Sequence, residues 1–243
     1  MLLFAGLVVV GFPAAAGATT ASDATFSFPK NRTTNIVLVP AKIDVASLGA
    51  SGVATPNPDW TSEARSHFVL AIKQFAATRS MEVGALEPAT DEQEAYLAEY
   101  TNLFSTVSLA ALYHTTYSRL PTKKQRSGYR FDWTLGPGAA RLGEMGGGQY
   151  ALFVKSYDAY ATDGRKALQV FGVLLGAGFP TGGEHYALAG LVELKTGNIV
   201  WMNLLPYNVG DIRTREGSQV RADKLLSTMP LREGEKPAKA VRK

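Results

Sequence analysis

The chain has 243 residues, 46% of them hydrophobic, 10% aromatic and 19% charged, with a net charge of +4. That composition excludes a mostly disordered or collagen-like polymer. Cysteine is absent, which excludes disulfides, thiolate nucleophiles, Cys-ligated zinc, iron–sulfur clusters and a lipid-modified N-terminal cysteine.

Residues 1–18 carry no charged side chain, and the apolar run Leu2–Phe12 is shorter than the roughly 20 residues a spanning helix needs. Its length, the break at Pro13 and the small residues Ala16 and Ala18 fit a secretory signal peptide cleaved after Ala18, although no Lys or Arg precedes the run. A mature chain beginning near Thr19 is therefore expected in the periplasm or otherwise exported. Five Lys/Arg against two Glu in 232–243 hold most of the positive charge, so that tail reads as disordered.

Thr19 to Thr34 is polar and unpatterned, an extended lead-in. Asn35–Val39 is a continuous apolar run closed by Pro40, the mark of a strand buried on both faces. Ala41–Pro58, rich in Gly, Ala, Ser and Pro, predicts a loop. Asp59 is placed to cap a helix whose stripe is Trp60, Ala64, Phe68, Ala71, Ile72 and Phe75. Met81–Leu86 predicts a short strand, and Thr90-Asp-Glu-Gln93 is a capping box opening a long helix that ends at Arg119 and Pro121.

A basic loop, 122–130, follows. Ala139–Met145 predicts a short helix stopped by three glycines, and Tyr150–Val154 a central strand. Asp163-Gly164 is a turn signal, and 165–175 is read as helix. Tyr186–Leu194 and Ile199–Leu204 flank Lys-Thr-Gly-Asn, a hairpin. Thr214 then caps a last helix, with Val220, Leu225 and Met229 facing inward. This order predicts an α/β fold: one domain over residues 35–231, a mixed sheet with packed helices, and an antiparallel hairpin near the C-terminus.

No catalytic motif assembles along the chain. His67 and His114 lie on helices without a second histidine at metal-binding spacing, and both read as satisfied structural residues. Glu184-His185 lacks the second histidine of a zincin motif. The glycines at 136–138 and 146–148 lack the phosphate-binding pattern. The richest polar cluster is Lys155, Tyr157, Asp158, Thr162, Asp163 and Arg165, just past the central strand, where ligands gather in open α/β sheets. It reads either as an acid pair or metal site of Asp158 and Asp163, or as a loop in which Arg165 pairs one aspartate. A second cluster holds Asn208, Gly210, Asp211 and Arg213. Arg119, Lys123, Lys124, Arg126 and Arg130 read as a solvated loop or as a weak contact for an anionic membrane surface.

Asp59-Trp-Thr61, Phe131–Gly138, Tyr150–Val154, Thr196–Asn203 and Gly210–Arg213 together resemble a family of exported proteobacterial proteins, hypothetical or lipoprotein-like, without an assigned activity. The Leu-Lys-Thr-Gly-Asn-Ile-Val-Trp hairpin is distantly similar to envelope assembly factors such as the curli-secretion lipoprotein and the amino-terminal domain of the Tol-system translocation protein. Those lipoproteins carry a lipidated cysteine that this chain lacks. The resemblance implies no catalytic residues and no cofactor. The expected role is a periplasmic, non-enzymatic interaction or assembly protein, with envelope proteins or itself as partner and no nucleic acid. The alternative is a hydrolase or metal-dependent enzyme using Asp158, Asp163 and Asp211. The glycine-rich apolar stretch 172–183 is a candidate contact surface.

Overall fold

The computed structural model describes residues 17–30, 33–125, 128–166 and 183–235. Residues 1–16 of the signal-peptide segment, 167–175 of the stretch read as helix over 165–175, most of the contact surface expected over 172–183, and the tail beyond Glu235 lie outside them. The architecture is α/β. A mixed eight-stranded sheet has strand order β1 (Thr19–Ser22), β10 (Asn198–Leu205), β9 (His185–Glu193), β8 (Tyr150–Ala161), β2 (Thr34–Leu38), β5 (Met81–Ala85). β3 (Lys42–Leu48) also pairs with β8, further along it than β2 does, and carries β4 (Ala54–Pro56) on its outer side. A two-residue pair, β6 (Lys124–Gln125) and β7 (Gly128–Tyr129), lies in the loop read as basic.

β8 organises the sheet. Its first residues pair in parallel with β2, from Ile36↔Tyr150 to Leu38↔Leu152, and its remainder with β3, from Lys42↔Lys155 to Leu48↔Ala161. Three residues, 39–41, therefore face two, 153 and 154, and Pro40 occupies the joint. That extra residue changes the parity of the alternation. Ile36 and Leu38 before the joint, and Ala41, Ile43 and Val45 after it, all join the same core.

Among the described residues, two helices cover each face. α1 (Pro58–Ala77) and α4 (Arg215–Leu226) enclose the core of Phe68, Ile72, Leu152, Leu191, Trp201 and Leu225. α2 (Asp91–Thr116) and α3 (Ala140–Gly146) enclose that of Val37, Phe104, Leu142, Phe153 and Met202, in which the Phe104 and Phe153 rings stack 4.6 Å apart.

Several local expectations change. The loop expected over 41–58 contains β3 and β4, because Ile43 and Val45 bury their side chains among small residues that disguise the alternation. α1 is capped by Asn57, whose Oδ1 accepts from Trp60 N–H at 3.0 Å with Pro58 at the first turn; Asp59 lies within that turn. Thr90 caps α2 as expected, but the Gln93 side chain accepts from Ala89 N–H rather than Thr90. The central strand extends seven residues beyond Val154, and 163–166 form a helical turn. Arg232–Glu235, expected in the disordered tail, bridge to the Phe28 segment; Arg232 donates to Pro29 and Ser80 carbonyls.

Candidate functional site

The polar cluster expected beyond the central strand lies largely within it. Strand alternation divides its members between the two faces of β8. Lys155 and Tyr157 take the side of Tyr186, with Tyr157 stacked on that ring at 6.0 Å and Lys155 Nζ 5.9 Å from its centroid. Burial lowers the Lys155 ammonium from its ordinary value, with Lys42 adding repulsion. Ser156, Asp158 and Tyr160 take the opposite side, beneath α4.

There the central residue is one that hydrophobic patterning does not single out. Val220, expected inward, is 54% exposed, and Arg221 is buried in its stead. The physical reason is Asp158, fully buried on β8, whose Oδ2 accepts from Arg221 Nη1 at 2.6 Å. The Arg221 Nη1 group also reaches Ser156 Oγ at 3.1 Å; Nε donates to the Val209 carbonyl, and Nη2 to Asn208 Oδ1 and the Gly210 carbonyl. The guanidinium's five donors are thus matched to acceptors on β8 and the loop after β10. Ser156 Oγ donates to Asp158 Oδ2 at 2.9 Å, and His185 Nδ1 meets Asp158 Oδ1 at 2.7 Å. An Asp facing an Arg 63 residues later in the chain leaves no local sequence signal.

The loop between β10 and α4 holds a second ion pair. Arg213 Nε and Nη2 embrace the Asp211 carboxylate, the shortest contact being 2.6 Å. The guanidinium lies over the rings of Tyr160, at 3.8 Å, and Trp60, at 4.6 Å. Arg213 holds the Asp211 carboxyl below its ordinary value, and Asp211 raises the Arg213 guanidinium in return. Burial raises the Tyr160 hydroxyl, which accepts from Ile212 N–H at 3.2 Å. Gly210 and Gly217 permit this loop to close on α4. Gly210 has φ of +71°, and a Cβ on Gly217 would stand 2.1 Å from the Asp211 carbonyl oxygen.

Arg213 of the second pair, and His185 that meets Asp158 of the first, line a cavity of about 470 Å³ together with residues that include Tyr160, Lys166, Tyr207 and Asn208. A larger crevice, about 650 Å³, lies at the carboxyl ends of β2 and β5. Its lining is mostly apolar, and its charged residues Lys42, Arg65, Glu87 and Glu94 are all exposed.

The predicted residues are thus only partly brought together. Asp158, Asp211 and Arg213 converge around Tyr160. Asp163 is 98% exposed and bonds Lys166 at 3.0 Å, while Arg165 donates to the Gly49 carbonyl rather than to an aspartate. Among the described residues no three His, Asp or Glu side chains stand close enough to hold a metal ion. His67 reads as satisfied in the sequence, yet its buried Nδ1 has no hydrogen-bond partner among the described residues; His114 Nδ1 meets the Ser118 carbonyl at 2.7 Å. In the basic loop, Lys123 and Arg130 both engage Asp132, and Lys123 also lies over Trp133.

No protein-family model and no curated protein sequence matches the chain. Among solved structures it is similar to the PelC dodecamer from Paraburkholderia phytofirmans, at 11% identity and a TM-score of 0.36, covering 89% of this chain and 98% of that one. It is also similar to the lipoprotein GNA1162 from Neisseria meningitidis, at 11% identity and a TM-score of 0.28, covering 72% and 81%. Likeness at this level carries no argument about activity.

Proposed function

We propose that this chain is an exported, non-enzymatic interaction protein of the cell envelope. Export rests on the apolar leader and its small-residue cleavage pattern. The observation that carries the non-enzymatic reading is the state of Asp158. It is fully buried, matched by Arg221, Ser156 and His185, and separated in environment from the exposed Asp163. An acid pair needs two carboxylates facing one substrate. Here one joins α4 to the sheet and the other is in solvent.

An interaction role also has a surface to use. Leu109 and Tyr113 on α2 and Tyr117 at its C-cap stand four residues apart and are 49%, 47% and 50% exposed, an apolar row of the sort that marks contact sites.

Crosslinking in intact envelopes followed by mass spectrometry tests this reading. Crosslinks from the α2 row to envelope proteins, lost in Tyr113→Glu, are the expected outcome. Full-length, uncleaved protein recovered from the cytosol would overturn it.

A further inference from the structure

The cavity lined by Arg213 and His185 is furnished with polar atoms that no other described residue uses. Arg213 engages Asp211 through Nε and Nη2, and its Nη1 has no hydrogen-bond partner among the described residues. Asn208 Oδ1 accepts from Arg221, and its Nδ2 has no hydrogen-bond partner among the described residues. The Asp158 carboxylate accepts only, so a neutral His185 ring must carry its proton on Nδ1. Nε2 is then an acceptor without a hydrogen-bond partner among the described residues, on a ring whose side chain is only 9% exposed. Asp158 is itself pinned by Arg221, so the imidazole is held in one tautomer and one orientation.

The charge inventory of the walls is one-sided. Lys166 and Arg213 are cations, and none of the described lining residues is a carboxylate. The carboxylates that pair with them, Asp163 and Asp211, stand outside the lining. Arg213 is fixed from behind by Tyr160 and Trp60, so its free edge is preorganised rather than mobile. Tyr207, 39% exposed, supplies an aromatic surface at the rim. The volume of about 470 Å³ falls in the range of small-molecule sites.

We infer that this cavity binds a small organic anion that also bears hydroxyl groups. Its carboxylate or phosphate accepts from Arg213 Nη1 and attracts Lys166, one of its hydroxyls donates to His185 Nε2, and another accepts from Asn208 Nδ2. No bond is made or broken. The inference goes beyond the envelope reading and does not depend on it.

Isothermal titration of the purified full chain tests it with four probes: glucuronate, glucose 6-phosphate, glucose and acetate. Saturable binding of glucuronate or glucose 6-phosphate, with glucose at least roughly tenfold weaker, is the expected result. The tighter of the two identifies the anionic group. Acetate, lacking hydroxyls, is expected to be weaker than either. Arg213→Gln should weaken the preferred anion by roughly tenfold to a hundredfold. Lys166→Glu, on a side chain 63% exposed whose ion pair with Asp163 is at the surface, should weaken it as well and shift the melting temperature little. The inference is overturned if neither anion binds saturably, if glucose binds as well as they do, or if Lys166→Glu leaves the affinity untouched.

Discussion

The same chemical pair occurs twice within one corner of the molecule, and the two copies do different things. Asp158–Arg221 joins β8 to α4 with both side chains at most 1% exposed. Asp211–Arg213 joins two positions of one loop with its side chains 36% and 29% exposed. In the first, every guanidinium donor has an acceptor, and desolvation makes each of those matches obligatory. In the second, water screens the pair and one nitrogen stays free for something else. Burial converts an ion pair from a surface feature into a constraint on the fold; partial exposure leaves it available as a site.

The largest effect expected from breaking this contrast is at the buried pair. Arg221→Ala strands the Asp158 carboxylate beneath α4 and should lower the unfolding free energy by about 3–5 kcal/mol in chemical denaturation. A loss well under 1 kcal/mol would show that the pair is not what anchors α4. A core position without charge gives a calibration. A Cβ on Gly190 would stand 2.5 Å from the Phe104 ring, so Gly190→Ala should cost about 1–3 kcal/mol by forcing the stacked phenylalanines apart. Arg213→Lys keeps a charge but loses the fork and the stacking on Tyr160 and Trp60. It should cost about 1 kcal/mol or less, and a loss as large as that of Arg221→Ala would erase the distinction drawn above.

The smallest effect is in acid. Arg213 depresses the folded-state Asp211 carboxyl below its ordinary value of 3.8, so the pair's contribution is present above that pH. It is lost as pH falls through the still lower folded value. Stability measured from pH 5 downward should therefore fall less steeply in Arg213→Gln than in the parent. Equal slopes would mean that solvent screening cancels the pair.

The elements with strong periodic or capping signals were legible in the sequence: β2, α1, α2, the β9–β10 hairpin and Thr214 at the start of α4. What failed had one cause in several guises. β8 was cut short because Lys155, Ser156 and Asp158 look like loop, although a strand covered on both faces can bury polar groups when a partner is supplied from elsewhere. Hydrophobicity alone points Val220 inward and gives no reason to bury Arg221, an order that reverses once an aspartate waits on the sheet. Of the candidate site, Asp211 and Arg213 were visible as neighbours in sequence. Their relation to His185, Asn208 and Tyr160 arises only when β8, β9 and the loop after β10 meet, and no local pattern encodes that meeting.

The three-against-two step at Val39, Pro40 and Ala41 has a consequence for how this chain can vary. It works as a phase converter between β2 and β3. Removing or adding one residue there would leave β2 untouched but turn Ile43 and Val45 toward the other helix layer and Lys42 and Asp44 into the place they vacate. Length changes in steps of two preserve the phase; single steps do not.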